Sequence, residues 1–321
     1  MLYLAERDLL ALGKPWEETI DAVEAAVRCL HEGDYAQPVK PYLRYRAPEN
    51  RIIAMPAFLG GPFEVAGIKW IASFPGNPGR GLPRAHSVVI LNDAHDGVPV
   101  AIINTALLSV IRTASVSGMV LRHYDRARPL DRATVGITGW GPIGRHHLEL
   151  CERLYGTRIA EYRVFDIRGV DRSGLGDAPP DRIRIVGSWQ EAYRDADVFI
   201  ACTVATAPYV DLEPKPGSLH LNVSLRDYAT SVFEHFRGGI VVDDWAEVCR
   251  EGTDVEAFHR RCGLQQGEVK TVVDVVVHGC IAGMDTGRPV MFNPMGMAVF
   301  DLAVASHYVG RARAAGVGTL L

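Results

Sequence analysis

The run TVGITGWGPIGRHHLEL, residues 134–150, limits the choice of fold more than any other stretch of this chain. An apolar strand leads into G-x-G-x-x-G at Gly139, Gly141 and Gly144, and a helical pattern follows. In that setting the three glycines serve different ends. Gly139 permits the tight turn, Gly141 lets the backbone approach a pyrophosphate, and Gly144 lets helix and strand pack closely. The N-terminus of the helix then faces the diphosphate charge. A glycine-rich turn that binds nothing is the plainer alternative, but it does not require a strand before it and a helix after it.

The next strand, YRVFD, ends in Asp166, 22 residues beyond Gly144. An acid at that point accepts hydrogen bonds from the adenosine ribose hydroxyls and repels a 2′-phosphate, which favours NAD over NADP. Arg168 pulls the other way, because an arginine there can host that phosphate. Further on, CTVATAPYV places Thr203, Val204 and Ala205 at the carboxyl edge of the sheet, where ligands of such folds bind. The expected cofactor contacts are therefore Gly139, Gly141, Pro142, Ile143, Gly144, Asp166, Ile167, Arg168, Thr203, Val204, Ala205 and Ser224.

Around this motif the chain changes grammar. Residues 6–32 read as helices, with Gly33 as a C-cap. Short strands follow, at VKPYLRY, RIIAMPAFL, VAGIKWIASF, SVVILND and VPVAIIN, separated by turn signals, which predicts an antiparallel-leaning sheet. LLSVIRTASVSGMVLRHY is helical. Beyond residue 133 strands and helices alternate, with strands expected at 134–138, 162–166, 183–186, 197–202, 218–223 and 239–243. That alternation predicts an α/β class: a Rossmann doubly wound parallel sheet plus a discontinuous α+β domain. The tail from Asn293 reads as an amphipathic helix without a strand of its own, packing back on the first part. The expected division is 1–115 with 300–321 as a substrate-binding and dimerisation domain, and 116–299 as the NAD-binding domain.

Lys69 stands inside GIKWIASFPGN, among Ile68, Trp70 and Ile71. A buried ammonium is costly unless an anion meets it. A lysine on a strand is commonly an edge residue whose head reaches water, so the position poses a question. Arg112, in VIRTASVS, is a second cation, and arginine grips a carboxylate through two parallel hydrogen bonds. Lys40 and Arg44, in QPVKPYLRYR, add charge to the same region. Converging cations ask for an anionic, amino-acid-type substrate. Asp227, in LNVSLRD, follows another strand, where an acid orients an amine or activates water, or else caps a helix.

Other classes are disfavoured. The formal net charge is −4 without a long basic block, which argues against nucleic acid. No long uncharged apolar stretch predicts a membrane span. The six cysteines show neither metal nor disulfide spacing, which fits a cytoplasmic protein with no bound metal.

Taken in order, GIKWIASFPGN, SVVILNDAHDGVP, RTASVSG, GITGWGPIG and NVSLRD resemble the ornithine cyclodeaminase/μ-crystallin family over nearly the whole chain. The resemblance implies an NAD(P)-dependent imine or amine redox enzyme, a homodimer, with Lys69 and Arg112 as carboxylate ligands and Asp227 as the catalytic aspartate. It also implies one further basic ligand, Lys40 or Arg44. Ornithine-specific members carry an acid just before the Met-Pro pair, where this chain has Ile53 and Ala54. QPVKPYLRY, NRIIAMPAFLGG, SLRD and FNPMGMAVFDLAVA resemble a branch serving siderophore or natural-product biosynthesis. That branch oxidises and hydrolyses N-(2-amino-2-carboxyethyl)-L-glutamate to L-2,3-diaminopropionate and 2-oxoglutarate. On this reading the substrate supplies the anion for Lys69. The alternatives are an ornithine cyclodeaminase, an alanine-type dehydrogenase, or a non-catalytic NADP-binding protein.

Overall fold

In the computed structural model, every residue except Asp177 is described. The chain divides into two compact units, Met1–Thr113 with Gly296–Leu321, and Ala114–Met295. The helix Leu107–Ala127 begins in the first and ends in the second.

The first unit is built on a sheet whose long strands are Arg51–Leu59, Val65–Ser73, Ala85–Asp93 and Pro99–Asn104, paired antiparallel in that order. A strand not anticipated from sequence, Leu2–Ala5, adds in parallel to Pro99–Asn104. Strand register decides which residues meet. Met55, Lys69, Val89, Ile103 and Leu4 form one row across the sheet, and all are buried. Period-two alternation sends their neighbours to the other face.

The inner face is covered by the C-terminal helix Ala298–Ala315, which packs on three of the long strands and on the helix Trp16–Glu32. That earlier helix ends as expected at Gly33, which takes the left-handed conformation (φ 74°). The C-terminal helix corrects the amphipathic expectation. Every residue from Ala298 to Ala305 is buried, because the helix lies between the sheet and another helix rather than on a surface. It also has a strand after it: Thr319–Leu320 pairs antiparallel with the start of the N-terminal strand.

The second unit is a parallel sheet. Its strands lie in the order Ile183–Ile185, Ile159–Phe165, Ala133–Thr138, Val198–Ala201, Leu219–Asn222, Val290–Asn293, Ile240–Val242 and Lys270–Thr271. The first five follow the doubly wound order, which reverses direction between Ala133–Thr138 and Val198–Ala201. The carboxyl ends of those two strands flank the point where such sheets bind ligands. Val290–Asn293, a fully buried strand with no alternation, was not visible as a strand in the sequence. Among the described residues no helix is long and apolar enough to cross a membrane, and all six cysteines are free.

Candidate active site

The residues expected to hold the dinucleotide lie in the second unit. Gly139 has φ 91°, and a Cβ there would sit 2.4 Å from the Cys202 carbonyl oxygen. The first glycine therefore both turns the chain and lets it touch the neighbouring strand end, beside Thr203. A Cβ on Gly144 would lie 2.1 Å from the Gly139 carbonyl oxygen, so the third glycine is needed for close packing. A Cβ on Gly141 would meet nothing within 4 Å. Gly141 is also the N-cap of the helix Pro142–Tyr155 and offers it no side-chain cap. Uncapped N–H groups beside open space are what a diphosphate needs. Pro142 and Ile143 open this helix. The residues present thus fit a dinucleotide.

Asp166 is anchored at the end of its strand. Its Oδ2 accepts from the Trp140 backbone N–H at 2.7 Å and its Oδ1 from the Arg168 N–H at 2.8 Å. Arg168 turns its guanidinium back on this carboxylate at 3.5 Å and is otherwise exposed. Ile167 and Val204 are exposed apolar side chains on the two loops. The Thr203 hydroxyl accepts from the Ala205 N–H.

Asp227 has no exposed surface. Its Oδ1 accepts from the Thr203 hydroxyl at 2.7 Å, and its Oδ2 accepts from Tyr209 at 3.2 Å and from Ser224. Burial pushes its pKa above the ordinary carboxylate value, while the Ser224, Thr203 and Tyr209 hydroxyls pull it back. Ser224, expected to contact the cofactor, commits its single hydrogen to a protein acceptor, Asp227 or the Ala201 carbonyl.

The loop carrying Asp227 is held under strain. Leu225 is a non-glycine residue at φ 66°. Asn222 accepts from its N–H, and its carbonyl accepts from the Asp254 N–H at 2.7 Å. Asp254 Oδ2 in turn accepts from the backbone N–H groups of Asp227 and Tyr228. Burial raises the Asp254 pKa to about 7, with the nearby Asp227 adding to the rise. Sequence reasoning missed Asp254 and Tyr209. Asp254 reads locally as an acid in the first turn of a helix capped by Thr253.

The buried cations lie in the first unit. Lys69 is buried, and its ammonium donates to Ser109 Oγ at 2.7 Å and to Asp301 Oδ1 at 3.0 Å. Arg112 donates from Nε to the same Oδ1 at 2.8 Å. Lys69 thus has an anion inside the protein, which corrects the expectation that the substrate alone supplies it. Two cations still share one carboxylate oxygen. Burial, then the Arg112 charge, lower the Lys69 pKa to about 7, against the opposing pull of Asp301, and Lys40 lowers it further.

Lys40 is buried and donates to the Gly296 carbonyl at 2.7 Å. Gly296 (φ 85°) leaves room for arginine, since a Cβ there would lie 2.8 Å from Arg112 Nη1. Arg44 does not join this buried group. It is exposed, its guanidinium lies 5.2 Å from the Tyr42 ring centroid, and it donates to the Pro48 carbonyl. It lies on the short strand Tyr42–Arg44, outside the buried group.

This chain can be compared with known proteins. The model of the Ornithine cyclodeaminase/mu-crystallin family matches residues 14–315. N-((2S)-2-amino-2-carboxyethyl)-L-glutamate dehydrogenase of Staphylococcus aureus is 32% identical, over 100% of this chain and 98% of that protein. The structure of an archaeal alanine dehydrogenase dimer with bound NAD superposes with a TM-score of 0.83 at 25% identity, covering 99% of this chain and 98% of that one. Thermococcus litoralis Delta(1)-pyrroline-2-carboxylate reductase, in complex with NADH and L-proline, has a TM-score of 0.85 at 24% identity over the whole of both chains. At that identity it speaks for the fold alone.

Proposed function

The chain belongs to the ornithine cyclodeaminase/mu-crystallin family, and on that footing we propose that it converts N-(2-amino-2-carboxyethyl)-L-glutamate, NAD and water to L-2,3-diaminopropionate, 2-oxoglutarate and NADH. It is an NAD-dependent oxidoreductase acting on a CH–NH bond. The substrate reading rests on the Staphylococcus relative, and one observation carries it: Lys69 and Arg112 share a single carboxylate oxygen. That leaves positive charge in a buried place, which a substrate carboxylate would neutralise. Asp301 takes Arg112 through Nε, so the Nη pair is the edge assigned to the substrate.

NAD, when bound, would supply the hydride acceptor for oxidation of the secondary amine to an imine. Gly141 and the uncapped start of its helix would hold its diphosphate, on the turn that Gly139 and Gly144 shape, and Asp166 would hold its ribose. The remaining chemistry is proton movement: the imine adds water, the C–N bond breaks, and nitrogen leaves with diaminopropionate. Asp227 is assigned to that work through the Ser224 and Thr203 hydroxyls, because the carboxylate itself is enclosed. A hydroxyl that donates to Asp227 keeps lone pairs with which to accept from water.

The test is NADH formation with the conjugate, L-ornithine and L-alanine in parallel. Turnover of the conjugate with release of 2-oxoglutarate supports the assignment. Turnover of ornithine or alanine with none of the conjugate discards the substrate and keeps the redox class.

We also infer a homodimer built on the outer sheet face. Pro56, Ile68, Ile90 and Ile102 form one apolar row there, and Ala54, Trp70 and Val88 the next, with Trp70 43% exposed. Contiguous apolar surface of this kind marks an interface, and a two-fold pair would cover it with itself. Trp70→Glu is expected to halve the mass measured by sedimentation equilibrium. An unchanged mass places the interface elsewhere.

A further inference from the structure

We propose that Asp301 is a positioning residue of the anion site, whose Oδ1 ties the Lys69 ammonium and the Arg112 guanidinium into one carboxylate-binding pair. This rests on the reading of Lys69 and Arg112 as substrate ligands. Asp301 lies in the first turn of the C-terminal helix, in a stretch where every neighbour is apolar and buried. It has no exposed surface, and its Oδ2 is buried without a hydrogen-bond partner. Leaving a buried carboxylate half-satisfied is costly, and an apolar residue would serve packing better. The cost is explained if the charge is kept for what it does to the two cations.

The groups around Lys69 make that effect specific. Across the sheet its neighbours are Met55 and Val89, both apolar. The helix Leu107–Ala127 brings Ser109 and Arg112, the C-terminal helix brings Asp301, and Lys40 acts from the segment before the strand Tyr42–Arg44. Of these charged groups, Asp301 alone favours a charged lysine. Without it, Lys69 would be neutral at pH 7, and a carboxylate would meet one cation of the pair instead of two.

The variant is Asp301→Asn, which keeps the shape and removes the charge. Two readouts are needed. The titration of Lys69 is followed through its 13Cε resonance in lysine-labelled protein, assigned by its loss in Lys69→Met. The pH dependence of KM and kcat is followed with the conjugate.

The expected result is a Lys69 midpoint lowered by roughly one to three pH units. KM should rise about 10- to 100-fold at pH 7 and recover as the pH is lowered and Lys69 recharges. NAD affinity should not change. A midpoint that does not move overturns the proposal. A midpoint that moves while KM stays constant supports the coupling and overturns instead the reading of Lys69 as a substrate ligand. Asp301→Glu keeps the charge but changes the spacing. If the asparagine variant does not fold, the glutamate variant should show raised KM with an unshifted Lys69 midpoint, and wild-type KM in it overturns the proposal.

Discussion

Lys69→Met should give a folded, NAD-binding protein that resists heat better than the wild type and turns the conjugate over about 10²- to 10⁴-fold more slowly. The two halves of this expectation have one cause. The Lys69 pKa is near its ordinary value in the unfolded chain and about 7 in the fold. Between about pH 7 and that ordinary value the unfolded chain binds the extra proton, so wild-type stability rises with pH across this window. At pH 7 the buried charge costs on the order of several kcal/mol, since each pH unit separating the folded from the unfolded pKa is worth about 1.4 kcal/mol. Methionine removes that cost, and Arg112 continues to balance Asp301. Unfolding midpoints from pH 7 to 10 should therefore rise for the wild type and stay flat for the variant. Parallel curves would show that Lys69 is not a strained cation. An active Lys69→Met enzyme would sink its assignment to the substrate carboxylate.

Asp227→Asn is the second large effect, a loss of about 10²- to 10⁴-fold in turnover with the fold kept. Both carboxylate oxygens accept from hydroxyls, Oδ1 from Thr203 and Oδ2 from Ser224 and Tyr209. Whichever oxygen becomes an amide nitrogen, a hydroxyl meets a donor and must rotate, at about 1–3 kcal/mol of stability. The pH profile separates chemistry from packing. Burial raises the Asp227 pKa, so the folded state holds a proton that the unfolded state releases. The cost of burying Asp227 is therefore full above its folded pKa, shrinks as the pH falls from there towards the ordinary carboxylate value, and is gone below that value. Turnover should rise with pH through that pKa, and this limb should be missing from the residual activity of Asp227→Asn. Asp254, raised to about 7 and bonded to the Asp227 N–H, titrates beside it. A limb that survives unchanged in the variant belongs to Asp254 and overturns the assignment.

The parts whose cause is local can be read along the chain. A strand, three glycines and a helix sit within a few residues of one another, and their spacing dictates the turn and the uncapped helix end. Alternating strands and helices specified a parallel sheet, and the short strands after residue 33 an antiparallel one. Lys69 was conspicuous because a charge in an apolar strand breaks the local pattern. What answers that charge could not be read locally. Asp301 is 232 residues away from Lys69 and sits in a run, AVFDLAVA, that looks like the face of an amphipathic helix. Only packing that helix on the strand row Met55, Lys69 and Val89 turns the acid into a partner. The contrast between buried Lys40 and exposed Arg44 has the same origin, since nothing along the chain says which of two basic residues four positions apart the tertiary structure buries. Asp254 likewise reads as an ordinary helix-start acid until the strained loop at Leu225 is folded against it. Hydrophobic period and turn chemistry act between neighbours along the chain. Charge pairing in a dry interior acts between neighbours in space, and tertiary packing alone decided those.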